Sequence, residues 1–155
     1  SIQFINSNME PIVFTKWNGD DGMDQYIKTQ TGCKPFSGAG INYRAIQNTT
    51  ILRSVDGTEY YDDNLENVNQ VEYTLFGHNG DQDVSEKKFN EPLLNANKTK
   101  HIYLYRVSYR NNKKNWVWYG KYKITGQKTK QHPGKDGVMR EIVLLSLSKV
   151  IIIKK

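Results

Sequence analysis

Three histidines, one cysteine and several acidic pairs are the residues that could carry chemistry in this chain. His78, His101 and His132 are far apart, none in an HxxxH or HxH spacing, and Cys33 is the sole cysteine. A zinc site needs several such ligands converging, so no metal is expected. Asp20-Asp21 and Asp62-Asp63 are acidic clusters, and Asp81-Gln82-Asp83 is a third group. A metal-dependent nuclease would place a lysine two residues past a catalytic acid on one strand, and Asp81 to Asp83 does not provide it. Nucleophile-elbow, phosphate-loop and dinucleotide-loop glycine patterns are missing too. No cofactor and no intrinsic catalysis are expected. Two stretches remain. Trp116, Trp118, Tyr119 and Tyr122 interleave with Lys114, Lys121 and Lys123. They read either as a surface where bases stack or, for Trp116 and Trp118, as the inward face of a barrel strand. The other stretch is Val71 to Gln82, "VEYTLFGHNGDQ", in which a strand-like run breaks into a loop bounded by Gly77 and Gly80. Asp81-Gln82 is expected to hold that loop through hydrogen bonds to backbone amides.

The elements that position these residues are mostly strands. "PIVFTKW", Pro11 to Trp17, and Ile41 to Tyr43 read as short strands, with a turn at "NGDDG" and a short helix near Asp24 to Thr29. "TTILRSV", Thr49 to Val55, is a strand closed by the Asp56-Gly57 turn. Gln70 to Phe76 alternates in period two. Ser85 to Asn97 reads as a helix capped by Ser85, with Pro92 pointing to a kink or two shorter helices. His101 to Tyr109, Trp116 to Ile124 and Val138 to Leu147 read as strands, with a hairpin turn at "NNKK" and a last short strand at Val150 to Ile153. Gly120, inside a strand, marks a bulge or barrel corner. Gly126 to Gly137, with Lys128, Lys130, His132 and Lys135, reads as a long polar loop. Short, mainly antiparallel strands with one helical segment predict an α+β, mainly β fold: a partly open β-barrel with flanking helices.

The 155 residues suit one domain, with residues 1–8 read as a leader or remnant and 9–155 as the domain. No apolar run is long enough to span a bilayer. With no secretory pattern and one cysteine, an intracellular setting is expected, a bacterial cytoplasm or a virus-infected host cell or its nucleus. The formal net charge of +6 and pI near 9.3 favour a polyanionic partner without specifying one.

The segment "VEYTLFGHNGDQDVSEKKFNEPLL" resembles the signature of the SRA (YDG) domain, a PUA-like reader of modified cytosine in DNA. The matching residues are Tyr73, Thr74, Gly77, Asp81, Gln82, Asn90, Leu93 and Leu94. "ILRSVDGTEYYDD" resembles the strand and Tyr-x-Asp loop upstream, and "WVWYGKYKI" with "VMREIVLLSL" the downstream strand pair. The resemblance spans roughly Gly40 to Leu147. Leu75-Phe76 separates Thr74 from Gly77, and the loop to Asp81 is short, similar to the compact loops of prokaryotic and viral SRA-like domains often fused to nucleases. The resemblance implies a PUA-like barrel that flips a 5-modified cytosine (methyl or hydroxymethyl) out of double-stranded DNA. It makes Tyr73 and Tyr61 the two faces of the base pocket, Asp63 the acceptor for the exocyclic amine, and Thr74 the group at the other polar edge, by hydroxyl or amide. The loop Gly77, His78, Asn79, Gly80 would approach the DNA backbone, with Asp81, Gln82 and Asn90 supporting it. Lys87, Lys88, Lys128, Lys130 and Lys135 are candidate phosphate contacts. Such a module would guide a fused or associated nuclease. An RNA-binding PUA, ASCH or EVE-like module and a nuclease with an unrecognised site are the alternatives.

Overall fold

The computed structural model describes residues 4–5, 10–34, 38–151 and 153–154. Two short strands, β1 (Phe4–Ile5) and β9 (Ile153–Lys154), pair antiparallel. The expected leader 1–8 lies otherwise outside the described residues, and the last strand falls at Ile153–Lys154 rather than Val150 to Ile153.

The body is one seven-stranded sheet. β3 (Ile41–Arg44), β4 (Thr49–Val55), β6 (His101–Arg110), β7 (Lys113–Pro133), β8 (Met139–Lys149) and β5 (Gln70–Thr74) follow in that spatial order, and β2 (Ile12–Phe14) adds to β7. The sheet stays open, with β3 and β5 at its ends. Most pairs are antiparallel, but β4 and β6 run parallel, Thr49 opposite His101 through Val55 opposite Val107. Thr49–Val55 forms as expected because a Thr/Ile/Leu/Val run suits a strand packed on both faces. Asn111 and Asn112, at φ 51° and 61°, make the two-residue turn between β6 and β7.

β7 has 21 residues, more than twice the expected length, and replaces most of the loop assigned to Gly126–Gly137. Its first half pairs with β6 and its second half with β8, through Pro133 opposite Met139. The register skips Tyr119 and again Thr125, so the strand is bulged twice. Gly120 sits at the first bulge with φ 92°, a conformation side chains disfavour. The extra residue inverts the alternation. Trp118 therefore packs in one core, and Tyr122, four residues on, packs in the other.

Those cores lie on opposite faces of the sheet. The helix α1 (Met23–Thr31) presents Met23 and Ile27, one turn apart, against Ile51, Tyr105 and Trp118. It ends at Gly32 in the left-handed region. The other core gathers Leu52, Val71, Tyr73, Leu104 and Leu145 under the helix α2 (Asn90–Leu94). α2 is far shorter than the expected Ser85–Asn97 helix. Ser85 does not cap it. The Glu86 carboxylate does, accepting the N–H groups of Phe89 and Asn90 at 2.9 Å each. Pro92 is the third helical residue, where its missing N–H would be unsatisfied in any case, so the helix accommodates it.

Candidate base-binding pocket

A cavity of about 250 Å³ opens where β4, β5 and three loops meet. It is smaller than the roughly 300–1,000 Å³ typical of drug-sized ligands and suits one planar ring. All four expected pocket residues, Tyr61, Asp63, Tyr73 and Thr74, line it.

Tyr73 follows the period-two pattern of β5 inward and is 4% exposed. Its hydroxyl lies 2.9 Å from the Gly40 carbonyl and 3.1 Å from that of Arg53, with one proton to donate between them. Gly40 eases this approach, because a Cβ there would stand 3.2 Å from the phenolic oxygen, a tight contact from which the tyrosine would have to shift. Tyr61, half-buried, comes from the loop after β4, and its hydroxyl accepts the Gly77 N–H at 3.4 Å. Burial pushes the Tyr61 phenol up to about 12 and Tyr73 well above its ordinary value, so both stay neutral near pH 7.

Asp63 is fixed at both carboxylate oxygens. Oδ1 accepts the Thr74 N–H at 2.7 Å and Oδ2 accepts the Ser54 hydroxyl at 2.7 Å. Burial raises its pKa above the ordinary carboxylate value, and the Thr74 and Ser54 hydrogen bonds oppose that rise. The carboxylate as a whole keeps capacity for a further donor. The Thr74 amide is thus engaged by Asp63, and the Thr74 hydroxyl also hydrogen-bonds that carboxylate, so neither of the two groups expected to face a ligand is left without a partner. That hydroxyl accepts the Asp62 N–H at 2.8 Å.

An aromatic rim surrounds the mouth. Tyr60 packs edge-on to Tyr61 with centroids 4.8 Å apart, His78 lies 5.0 Å from Tyr60 and 5.5 Å from Phe76, and Phe76 lies 4.5 Å from Phe89. His78 is therefore a ring in the rim. Among the described residues no group of three His, Cys, Asp or Glu side chains converges on a metal position.

The loop from Phe76 to Asp83 is held by side chains acting as backbone substitutes. Asn90, fully buried, accepts the Phe76 N–H at 2.9 Å and donates to the carbonyls of Phe76 and Asp83 at 3.0 and 2.9 Å. Gln82 donates to Leu75 and Gly77 carbonyls at 2.6 and 3.1 Å and accepts the Val143 N–H at 2.8 Å. Asp81 accepts the Glu141 N–H, and Asn79 the Asp136 N–H. Asp81 and Gln82 thus tie the end of the loop to β8. Gly77 and Gly80, with φ 138° and 70°, take turns there that other residues rarely adopt.

Arg140 completes the support and was not among the expected residues. It is 3% exposed and donates to the carbonyls of Gly77, Gly80 and Tyr60, tying the two pocket loops together. Its signal was a charged residue two positions before Ile142 on the buried face of an apolar strand.

The candidate phosphate contacts divide. Lys128 is paired with Glu72 at 2.6 Å and Lys130 with Asp62 at 2.5 Å, while His132 contacts the Glu59 carbonyl at 2.8 Å. These contacts zip β7 onto the segment that carries the pocket. Lys87, Lys88 and Lys135 are exposed and form no ion pair among the described residues. Lys88 sits over the Phe89 ring and Lys135 over Tyr60.

The site is thus a cavity beside a buried acid, set in an open, bulged sheet. The family profile described as ScoMcrA-like, SRA domain, matches residues 24–154, and the chain belongs to that family. Solved structures share the fold. The SUVH5 SRA domain in complex with methylated CHH DNA aligns with a TM-score of 0.55 at 22% identity, over 81% of this chain and 82% of that one. KRYPTONITE in complex with mCHH DNA, an H3(1-15) peptide and SAH gives 0.58 at 17% identity, over 90% of this chain and 31% of that one. The MspJI restriction endonuclease in complex with a 27-mer oligonucleotide gives 0.62 at 16%, over 94% of this chain and 42% of that one. The chain thus spans about a third of KRYPTONITE and under half of MspJI. No curated protein matches the sequence significantly. Among the described residues no helix is long and apolar enough to cross a membrane.

Proposed function

We propose that this chain binds double-stranded DNA containing a 5-modified cytosine, methyl or hydroxymethyl, and receives the flipped base in the Tyr61–Asp63–Tyr73–Thr74 cavity. It would serve as the recognition module of a modification-dependent system, with any nuclease activity residing in another domain or partner. The observation that carries this reading is the cavity itself: ring-sized, aromatic-walled, with a preset carboxyl at its side. Extruding a base costs a few kcal/mol of pairing and stacking. Stacking on aromatic rings returns about 1–3 kcal/mol per base. The cytosine amine is a donor that Asp63 can accept. The membership in a family whose structural neighbours are solved with methylated DNA supports the same reading. The test places 2-aminopurine next to one 5-methylcytosine in a duplex. Binding should raise its fluorescence as the neighbouring base leaves the stack, with tighter affinity than for the unmodified duplex. Equal affinity for both, with no fluorescence change, would overturn the reading.

A further inference from the structure

The β6–β7 hairpin outruns the rest of the sheet. Val107 pairs with Val55 of β4 on one side and Trp116 of β7 on the other. Beyond it, among the described residues, Ser108, Tyr109 and Arg110 pair only with Asn115, Lys114 and Lys113. At roughly 3.3 Å per residue, this two-stranded ribbon reaches about 10 Å past Val107. It carries Arg110, Lys113 and Lys114 and no acidic residue. Val55 lines the base cavity, so the ribbon rises from the pocket end of the sheet.

Its two faces differ. Tyr105 and Val107 pack in the core under α1, and strand alternation puts Tyr109 on that side. Lys114, opposite Tyr109, lies over the Trp116 ring at 5.3 Å. Arg106 lines a small cavity beside Asp63, and the same alternation puts Ser108 and Arg110 on its side. Arg110 and Lys113 are therefore direct cross-strand neighbours on the pocket's face. Both are exposed and form no ion pair among the described residues. Like charges placed opposite each other destabilise a strand pair, and an anion between them would relieve the repulsion.

We infer that this ribbon is a second DNA contact, in which Arg110 and Lys113 hold backbone phosphates of the duplex that flanks the pocket. A reach of about 10 Å corresponds to about three base-pair steps from the flipped base. The inference rests on the proposed delivery of duplex DNA to the pocket: a duplex seated there continues past the ribbon on the same face.

The experiment titrates salt against affinity for wild type, for Arg110→Gln with Lys113→Gln, and for Lys100→Gln with Lys123→Gln. The last pair removes the same charge from exposed sites near the start of β6. The ribbon variant should bind modified and plain duplexes about tenfold or more weakly at low salt, by the same factor for both. Its slope of log affinity against log salt should be shallower by about 0.9 to 1.8, for one or two phosphates. The control pair should change the slope by less. Trimming the duplex to about two base pairs beyond the modified cytosine, on one side only, should cost wild type the same factor and the ribbon variant nothing. The ribbon variant should melt no lower than wild type, because a repulsion has been removed. Equal slopes and affinities in the ribbon and control variants would overturn the inference. So would a clear fall in the ribbon variant's melting temperature, which would make the pair a brace of the hairpin. A wild type that ignores the 5-methyl group, yet loses affinity for plain duplex in the ribbon variant, would remove the pocket reading and leave the ribbon contact standing.

Discussion

Thr74 donates its backbone N–H to Asp63 Oδ1 at 2.7 Å, and its hydroxyl accepts the N–H of Asp62 at 2.8 Å. The end of β5 and the loop after β4 are thereby interlocked in both directions. Ser54 fixes the other Asp63 oxygen. The carboxyl is oriented before any ligand arrives, so binding loses little side-chain entropy there.

Asp63→Asn tests that arrangement. The amide keeps the shape, and its oxygen can still take the Thr74 N–H, but its NH2 then faces the cytosine amine donor-to-donor. Affinity for a modified duplex should fall tenfold or more, with affinity for plain duplex unchanged, as read by fluorescence anisotropy. Stability carries a second signature. Burial raises the folded pKa of Asp63 above its ordinary 3.8. The stability this contributes is complete below 3.8 and is lost as pH rises through the folded value. Urea denaturation across that window should therefore show wild type losing stability relative to Asp63→Asn as pH increases. Parallel pH profiles would contradict the burial.

The two tyrosines should separate stability from recognition. Tyr73→Phe removes the hydroxyl shared by Gly40 and Arg53 carbonyls while keeping the ring. It should lower stability by about 1 kcal/mol, roughly 2–4 °C in Tm for a domain of this size, with modified-duplex affinity nearly intact. Tyr61→Ala removes a half-buried wall of the cavity. It should weaken modified-duplex binding about ten- to hundredfold, the stacking contribution of one ring, with a smaller change in Tm than its effect on binding implies.

Asn90 joins the loop to α2 through three hydrogen bonds from a fully buried position. Asn90→Ala strands the Phe76 N–H and the Phe76 and Asp83 carbonyls. A loss of about 2–4 kcal/mol is expected, since each buried unpaired group costs about 1–3 kcal/mol and some are rewetted. Differential scanning calorimetry measures it. A loss below about 0.5 kcal/mol would mean the loop does not depend on this side chain.

These residues differ in how plainly the sequence declares them. Thr49–Val55 and the Asn111-Asn112 turn follow from local preference, and Gly120 announces its bulge because few other residues take that φ. Gln82, Asn90 and the four pocket residues were reached through a motif, in which each side chain has a fixed place relative to the others. The second half of β7 was hidden for a physical reason. From Gln127 to Gln131 it is largely exposed, so its residues are polar on both faces and no period-two signal survives. Its pairing with β8 comes from backbone hydrogen bonds that any side chains allow. Arg140 was hidden because its partners are carbonyls, at Tyr60, Gly77 and Gly80, and a carbonyl leaves no trace in residue type.

The lysines around the pocket should separate by their partners. Lys130 is already neutralised by Asp62, and Lys128 by Glu72. Lys135 is exposed beside Tyr60 at the rim and forms no ion pair among the described residues. If it meets a phosphate, Lys135→Ala should weaken modified and plain duplexes by the same factor. The slope of log affinity against log salt should become shallower by about 0.9, one released counterion. Lys130→Ala should change that slope by less. Its larger effect should fall on modified duplexes alone, because Asp62, now unpaired, no longer ties the pocket loop to β7. A salt titration of both variants on both duplexes measures the two slopes and the two ratios. A full counterion lost in Lys130→Ala, with none lost in Lys135→Ala, would reverse the assignment and put the DNA backbone along β7 instead of at the rim.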